Sequence, residues 1–267
     1  FHGWGFTIND EIENLRAAQE HLKIVNLGAT AIGTTVTAAP GYPELAVKNL
    51  AELTGIDFKN SEDLIAATSD CGAYMTLSSA IKGLAVKMTK VCNDIRLLAS
   101  GPRCGLKEIN LPQLQPGSSI MPGKVNPVAA EVANQASFLA IGLDTTVMLA
   151  ASAGQLELNV MEPVITFALY TQMKVMTNAC DTLRTKLVEG VTANTERCKD
   201  YVMNSIGIVT LLKPHFGYQK CAAIAKEGYT TGKSLHQIVV DEQHLMTQAE
   251  WDATFNTQNL IHPKFVK

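Results

Sequence analysis

The sequence has 267 residues, a net charge of −3 at pH 7 and 18% charged residues. This length is enough for one large or two modest domains with a substantial core. Neither sign of charge forms a long run, which excludes the basic footprint of a nucleic-acid-binding protein and a polybasic membrane patch. Thr, Asn, Gln or Lys interrupts every long apolar run, so none is expected to span a bilayer. We expect no nucleic-acid partner and no membrane partner.

The cysteines indicate the cellular compartment of the protein, and the N-terminal residues indicate whether the chain is part of a longer one. The six cysteines are widely scattered without a C-x-x-C pair, so we expect no metal site and no disulfide framework. A reducing cytoplasmic location is the simplest interpretation. The first residues, from Phe1, contain neither an initiator Met nor the layout of a signal peptide. We therefore expect the chain to be cut from a longer protein.

Apolar residues at helical spacing predict helices through the first two thirds of the chain. The expected segments are residues 6–25, 43–54, 61–99, 128–153 and 163–180. Within the third segment a heptad seam steps alternately by three and four residues: Tyr74, Leu77, Ile81, Leu84, Met88, Val91, Ile95 and Leu98. An unbroken helix of that length measures roughly 55–60 Å, too long for one small globule. This pattern predicts a long-helix bundle.

The two helices expected after residue 127 have very little charge. Only Glu131 and Asp144 are charged between Val128 and Ala153, and only Lys174 between Pro163 and Cys180. A helix with so little charged surface is covered on most sides. Either it is the central helix of a monomeric bundle, or other subunits cover it. We favour an oligomer built through these helices.

The composition changes near Gly190. Shorter amphipathic segments separated by Gly and Pro follow, and Thr247 and Glu250 form a capping-box pattern. No run of alternating residues indicates strands, so the expected class is all-α. We predict a central helical bundle over residues 1–192 and a small helical C-terminal domain over residues 193–267.

The connection between the predicted helices 61–99 and 128–153 is the main candidate for a functional segment. Residues 100–127 contain five of the ten prolines and four glycines. A long connection of this kind inside a domain is usually functional or disordered. Because proline restricts the backbone and glycine lets it bend, we interpret residues 100–127 as a lid with a defined closed shape.

The residue types in this lid suit an anionic ligand. Lys124 and Asn126 lie on the same side of an extended segment, where a cation and an amide can hold a carboxylate or phosphate. Ser119 and nearby backbone N–H groups can hold a second anionic group. Ser118 can be a nucleophile or a base, but no His lies near it in the sequence to activate it as a nucleophile. The residues alone predict an anion-binding lid of unspecified chemistry.

The segment Gly117-Ser118-Ser119-Ile120-Met121-Pro122-Gly123-Lys124-Val125-Asn126-Pro127 resembles the signature loop of the fumarase/aspartase superfamily, matched without a gap. The resemblance covers nearly the whole chain. Four other segments are similar to the aspartase branch rather than the fumarase branch: residues 26–34, 67–74, 154–163 and 204–210. The sequence is thus identified as a member of this superfamily.

The resemblance implies an ammonia-lyase that converts L-aspartate into fumarate by anti elimination, without an organic cofactor. It implies that Ser118 is the base that takes the proton next to the β-carboxylate. Ser119 and the backbone N–H of Met121 would stabilise the resulting dianion. Lys124 and Asn126 would hold the other carboxylate. The site would be shared among the subunits of a homotetramer.

Glu131 has two interpretations. By resemblance it matches the carboxylate that pairs with a substrate-site His of another subunit. As a plain helix residue, it is a Glu in a first turn, where the helix dipole favours negative charge. None of the six histidines matches a catalytic position of the family, and we expect all six to be structural or surface residues.

Two departures limit the resemblance. The family usually has G-T-G-L-N where this chain has Gly33-Thr34-Thr35-Val36-Thr37. The N-terminal half, with two of the three site-forming segments, is expected to be missing, so the 267-residue chain alone is expected to be inactive. Fumarase is the alternative activity, and a non-catalytic structural relative is the alternative class. Metal activation is left open, since no acidic cluster has ligand spacing.

Overall fold

The computed structural model describes residues 1–117, 120–121 and 123–261. The chain divides into two compact units, and the division falls between Thr192 and Ala193. The boundary drawn from composition lies at the same place. That each unit folds as a separate domain stays a prediction.

Helices account for most of the described chain, which confirms the all-α class. In the first unit the helices are α1 (His2–His21), α2 (Tyr42–Thr54), α3 (Leu64–Ser69), α4 (Gly72–Leu98), α5 (Val128–Ala151) and α6 (Glu162–Lys186). After these come α7 (Thr195–Met203), α8 (Lys213–Thr231), α9 (Gln248–Thr254) and α10 (Thr257–Ile261). The strands have two residues each: β1 (Ile24–Val25), β2 (Lys59–Asn60), β3 (Ile109–Asn110) and β4 (Thr192–Ala193).

Short irregular elements complete the two units. Strands β1 and β2 are parallel, with Ile24 opposite Lys59 and Val25 opposite Asn60. Tight 3₁₀ turns occupy Ala31–Gly33, Val188–Gly190 and Ile206–Leu212, and a π-helical turn occupies Gln237–Glu242.

Helix α4 is the centre of the bundle and packs against α1, α5 and α6. Ile81, Met88 and Ile95 of the predicted seam are at most 3% exposed, so this heptad pattern is confirmed as a core face. Tyr74, at the start of the seam, is 40% exposed and lies outside the core. Small residues fill the facing side of α5, among them Ala130 at 0% exposure. Small side chains at a helix contact let the two backbones approach closely.

The prediction of one unbroken helix from Ser61 to Ala99 is wrong. Asp63 caps the short helix α3, accepting hydrogen bonds from Ile65 N at 2.9 Å and Ala66 N at 3.0 Å. Asp70 then adopts an extended backbone (φ −83°, ψ 125°), and its side chain accepts from Gly72 N at 3.1 Å to start α4. Helix α4 has 27 residues, or about 40 Å. The bundle is therefore shorter than the sequence predicted.

Other helix limits also differ from the prediction. Helix α1 begins at His2, with Phe1 as its N-cap; the periodicity allowed either a start near residue 6 or a helix that runs in from earlier residues. Helix α6 continues past Cys180 to Lys186.

The second unit has its own core. Leu212, Ile224, Ile238 and Trp251 are at most 2% exposed and belong to one apolar cluster. The predicted capping box at the start of α9 is confirmed: Thr247 Oγ1 accepts from Glu250 N at 3.3 Å, and Thr247 N donates to Glu250 Oε2 at 2.7 Å.

Helices α5 and α6 expose large apolar side chains on their outer faces. Phe138 and Leu149 of α5 are 55% and 60% exposed, and Phe167 and Tyr170 of α6 are 65% and 68% exposed. We refer to these four residues as the outer apolar surface. Contiguous exposed apolar area on a protein usually marks an interaction surface.

Candidate active site

The connection between α4 and α5 is anchored to the bundle where it begins. Lys107 N donates to Ser100 O at 2.8 Å, and Glu108 N donates to Leu98 O at 2.9 Å. The chain thus folds back on the end of α4. Further along, Asn110 Nδ2 donates to Thr192 Oγ1 at 3.3 Å. These bonds hold the first part of the connection against the first unit.

The described part of the signature loop closes on itself. Asn126 Nδ2 donates to Gly117 O at 3.0 Å, and Lys124 N donates to Met121 O at 3.3 Å. A Cβ built on Gly117 would lie 1.6 Å from the carbonyl oxygen of Lys124, so no larger residue fits there. Gly123 has φ +80° and forms the bend of this turn.

The predicted site residues are distributed as follows. Ser118 and Ser119 lie outside the described residues. Lys124 is exposed, the side chain of Met121 is 51% exposed, and Asn126 is half-buried. That Lys124 and Asn126 act together on one anionic group stays a prediction. One N–H of the Asn126 amide is engaged with Gly117, which leaves the second N–H for a ligand.

Glu131 lies in the first turn of α5, immediately after the signature loop. Its backbone N–H donates to Pro127 O at 3.0 Å, and its side chain is partly exposed. The position agrees with both interpretations of this residue, the helix-dipole one and the catalytic one. Within the first unit, Glu131 therefore follows Asn126 by five residues.

One polar pair beside Glu131 was missed by the sequence reasoning. Asn134 is 3% exposed between α4 and α5, and its Nδ2 donates to Asn93 Oδ1 at 2.8 Å. Among the described residues, Asn134 Oδ1 is buried without a hydrogen-bond partner. The sequence signal that could have revealed this pair was the polar residue Asn134 at helical spacing from Ala130 and Ser137, on the inward face of α5.

The thiols of Cys71, Cys92 and Cys180 are held in their protonated form by burial. Burial raises the pKa of Cys92 to about 11, so its thiol is protonated at neutral pH. Burial also raises the pKa of Cys71 and Cys180. All six cysteines are free thiols.

Neither a metal centre nor a membrane segment is found in the described chain. Across residues 1–117, 120–121 and 123–261, no group of three or more His, Cys, Asp or Glu side chains is arranged to hold a metal ion. Over the same residues, no helix combines the length and apolar character needed to cross a membrane.

A concave surface exists elsewhere in the first unit. A cleft of about 430 Å³ is lined by residues that include Asn26, Ser61, Asp70 and Tyr74. It lies at the first turn of α4, whereas the signature loop follows the last turn. The anion-binding residues of the loop thus do not line this cleft.

Two family models match this chain, one in its first half and one near its C-terminal end. The model described as "Lyase" matches residues 1–142, and the model described as "Fumarase C C-terminus" matches residues 208–262.

Curated relatives include enzymes named aspartate ammonia-lyase. That of Escherichia coli strain K12 is 54% identical over 99% of this chain and 55% of its own length. That of Helicobacter pylori strain 26695 is 49% identical over 100% of this chain and 57% of its own length. The chain therefore spans about half the length of the curated relatives it matches.

Solved structures with the same fold include two lyases. A structure described as fumarate lyase:delta crystallin from Brucella melitensis bound to cobalt has a TM-score of 0.89 and 39% identity over 94% of this chain and 54% of its own. A class II fumarase from Schistosoma mansoni has a TM-score of 0.90 and 29% identity over 98% of this chain and 58% of its own. With a family model matched over more than half its residues, the chain belongs to the lyase family of the fumarase/aspartase superfamily.

Proposed function

We propose that this chain is the C-terminal portion of an aspartate ammonia-lyase, which eliminates ammonia from L-aspartate to give fumarate. The observation that carries the proposal is identity of about half, over essentially the whole chain, to enzymes named for this activity. The complete sequence motif of the signature loop supports it, as does the hydrogen bond from Asn126 Nδ2 to Gly117 O across the loop.

Ser118 is assigned as the general base of this reaction. It takes the proton from the carbon next to the β-carboxylate, and the pair of electrons left behind delocalises into that carboxylate. Expulsion of ammonia from the neighbouring carbon then forms the double bond of fumarate. A serine hydroxyl is a weak acid, so this step requires a closed site rich in N–H donors. Lid closure would supply that site and exclude water.

The remaining loop residues are assigned to binding. Ser119 and the backbone N–H of Met121 stabilise the dianion formed at the β-carboxylate. Lys124 and the second amide N–H of Asn126 hold the other carboxylate by charge-assisted hydrogen bonds. No organic cofactor is needed, because all of these roles are filled by protein groups.

The proposed assembly is a homotetramer with shared active sites. The outer apolar surface of α5 and α6 supports an oligomer, because these helices otherwise leave Phe167 and Tyr170 in water. Glu131 would pair with a His supplied by another subunit. The free thiols support a reducing, cytoplasmic compartment.

The test is formation of fumarate by the full-length protein. We expect absorbance in the fumarate band to rise when L-aspartate is added. Replacing the base, Ser118→Ala, is expected to lower kcat by about 10²-fold or more. Ser152→Ala removes an exposed hydroxyl at the end of α5 and is the matched control. Absence of fumarate with the parent protein, or full activity in Ser118→Ala, would contradict the proposal.

Fumarase remains the second candidate, favoured by the match of residues 208–262 to a fumarase C model. Offering L-malate in the same assay separates the two activities. The 267-residue chain alone is proposed to be inactive, because the relatives have a further half that this chain does not span. Turnover of aspartate by the purified 267-residue chain would refute that part.

A further inference from the structure

The contact between α4 and α5 carries polar side chains at two levels of an otherwise apolar interface. At one level, Asn134 of α5 donates to Asn93 of α4 at 2.8 Å. At the other, Asp144 of α5 lies 2.8 Å from Ser78 Oγ and 2.5 Å from Lys82 Nζ of α4. The order of these pairs shows that the two helices are antiparallel.

The spacing of the two levels fixes how the helices are aligned. On α5 the two levels are ten residues apart, about 15 Å, and on α4 their partners are 11 to 15 residues apart, about 16–23 Å. A slip of one turn, about 5.4 Å, would separate both sets of partners at once. Buried polar pairs are costly, and setting the alignment of neighbouring helices is their best-attested role.

The Asn93–Asn134 level lies beside the candidate active site. Asn134 follows Glu131 by one turn on the same face of α5, and α5 itself begins directly after Pro127. The neighbouring inward residues, Ala130 and Ala133, are at most 1% exposed and offer no polar group from their side chains. The amide pair is therefore the polar link that ties this end of α5 to α4.

The orientation of the pair is determined by a third residue. Asn93 Oδ1 also accepts from Arg96 Nη1 at 3.4 Å, so Asn93 presents its oxygen and Asn134 its N–H. Asn134 Oδ1 is left buried without a partner among the described residues. A buried acceptor without a partner costs about 1–3 kcal/mol. Stability alone would favour an apolar residue at this position.

We propose that Asn134 is a positioning residue for the lyase reaction. Its amide bond to Asn93 fixes the first turn of α5, and with it the approach of Glu131 and the end of the signature loop that carries Asn126. The inference rests on the proposed function. A misplacement of about 1 Å at a catalytic group can lower the rate by about 10²-fold, whereas the same shift in a helix costs little stability.

The test uses the full-length protein and the variants Asn134→Leu and Asn93→Leu. Each removes the amide bond, and Asn93 is exposed, so Asn93→Leu leaves the core intact. We expect kcat to fall about 10- to 100-fold in either variant, with KM changed less than about threefold. The melting temperature should be kept in Asn134→Leu but should fall in Asn93→Leu, because the buried Asn134 amide then loses its hydrogen-bond partner. The double variant should be no slower than the slower single variant, because one bond is lost in all three.

Ser137→Ala is the matched control. Ser137 is as buried as Asn134 and lies one turn further along α5, but its hydroxyl donates only to Ala133 O of its own helix, at 2.8 Å. We expect its kcat to stay within about twofold of the parent value. If kcat also stays within twofold in Asn134→Leu and Asn93→Leu, or if their effects simply add, the proposal is overturned.

The parent protein is assayed first on L-aspartate and on L-malate. Activity on L-malate alone would refute L-aspartate as the substrate. The kinetics of Asn134→Leu and Asn93→Leu would then be compared with those of the parent on L-malate. Inactivity on both would overturn the proposed function and this inference together. Activity on L-aspartate with unchanged Asn134→Leu kinetics would overturn only the inference.

Discussion

Gly117 is the residue at which the signature loop packs most tightly against itself. Its carbonyl accepts from the Asn126 amide, and a Cβ at this position would lie 1.6 Å from Lys124 O. Gly117→Ala therefore pushes residue 117 away from Lys124 and strains the hydrogen bond between Gly117 O and the Asn126 amide. We expect a loss of at least about tenfold in kcat/KM for the full-length protein, measured by the fumarate assay, with little change in melting temperature because the loop is on the surface.

Gly123→Ala provides the comparison for that change. Nothing lies within 4 Å of a Cβ at Gly123, and the only obstacle is its φ of +80°. Left-handed backbone costs an alanine about 1–2 kcal/mol. We expect a smaller loss of activity than in Gly117→Ala. Equal losses in the two variants would show that the close contact at Gly117 is unimportant.

The departure from the family pattern at Thr35 has a structural consequence. Thr35 has φ +57° and Thr37 has φ +68°, a conformation in which a β-branched residue is strained. Thr35→Gly should raise the free energy of unfolding by about 0.5–1 kcal/mol, measured by denaturant titration of the full-length protein. Thr34→Gly should lower it, because Thr34 has φ −81° and its hydroxyl donates to Ala31 O at 2.6 Å.

At the scale of elements, the buried carboxylate of Asp144 joins three helices. Its oxygens contact Ser78 and Lys82 of α4, and Ser78 Oγ also lies 3.1 Å from Gln172 Oε1 of α6. Asp144→Ala leaves Lys82 without its carboxylate partner, whereas Ser78 keeps Gln172 Oε1 as an acceptor, and we expect a loss of about 3 kcal/mol in the free energy of unfolding. Because the Lys82 side chain is 40% exposed, this loss lies at the lower end of the range that is usual when one partner of a buried ion pair is removed.

The control for Asp144→Ala is Asp181→Ala on α6. Asp181 also pairs with a cation, Arg184 at 2.9 Å, but its side chain is 66% exposed. We expect a loss of at most about 1 kcal/mol there. Similar losses at Asp144 and Asp181 would contradict the importance of the buried contact.

Helix α1 is fastened to α4 by a second buried carboxylate, which makes the contact sensitive to pH. Burial opposes ionisation of Glu11, but hydrogen bonds from Lys87 and Asn14 outweigh it and lower the pKa. Because the folded chain holds Glu11 at a lower pKa than the unfolded chain, this stabilisation is present above the unfolded pKa. It is lost as the pH falls through the folded pKa.

Glu11→Gln should therefore be less stable than the parent at neutral pH by about 1–2 kcal/mol. The difference should shrink as the pH falls from about 6 to about 3. Denaturant titrations of the full-length protein across this range measure it. Glu13→Gln, at an exposed position two residues on, should differ from the parent by less than about 0.5 kcal/mol throughout. A Glu11→Gln difference independent of pH would refute the linkage.

The break between α3 and α4 illustrates which element boundaries the sequence can predict. Apolar periodicity gave the core face of α4 correctly, because Ile81, Met88 and Ile95 are all buried. It did not give the break at Asp70, since no Pro or disruption of the apolar pattern marks it. At the break, the backbone of Asp70 is extended and its side chain accepts a hydrogen bond from Gly72 N. Such local competition between backbone and side chain is weakly encoded in periodicity.

At the scale of the whole molecule, the sequence points to a candidate site where one stretch of sequence carries it. The motif from Gly117 to Pro127 marks Lys124 and Asn126, and the structure adds the hydrogen bond from Asn126 to Gly117 O. Asn93 and Asn134 were not predictable, because they are distant in sequence and meet only when α4 and α5 align. Their significance depends on helix phase, which the sequence defines only once the helix limits are known.

The outer apolar surface leads to the final prediction, which concerns assembly. Tyr170 of α6 is 68% exposed in the single chain, beside other large apolar groups. If a second copy covers this surface, Tyr170→Glu places a charge in the interface, where an unpaired buried charge costs several kcal/mol. We expect the proposed tetramer of the full-length protein to dissociate into smaller species, as measured by sedimentation velocity.

Tyr229→Glu is the matched control for this change. Tyr229 is 81% exposed on α8 of the second unit, outside the outer apolar surface. The same substitution there should leave the sedimentation coefficient unchanged. If each site contains residues from several subunits, Tyr170→Glu should also lose activity in proportion to the loss of tetramer, and raising the protein concentration should restore both. A fully active monomer would contradict the shared site, and an unchanged tetramer would show that other surfaces make the assembly.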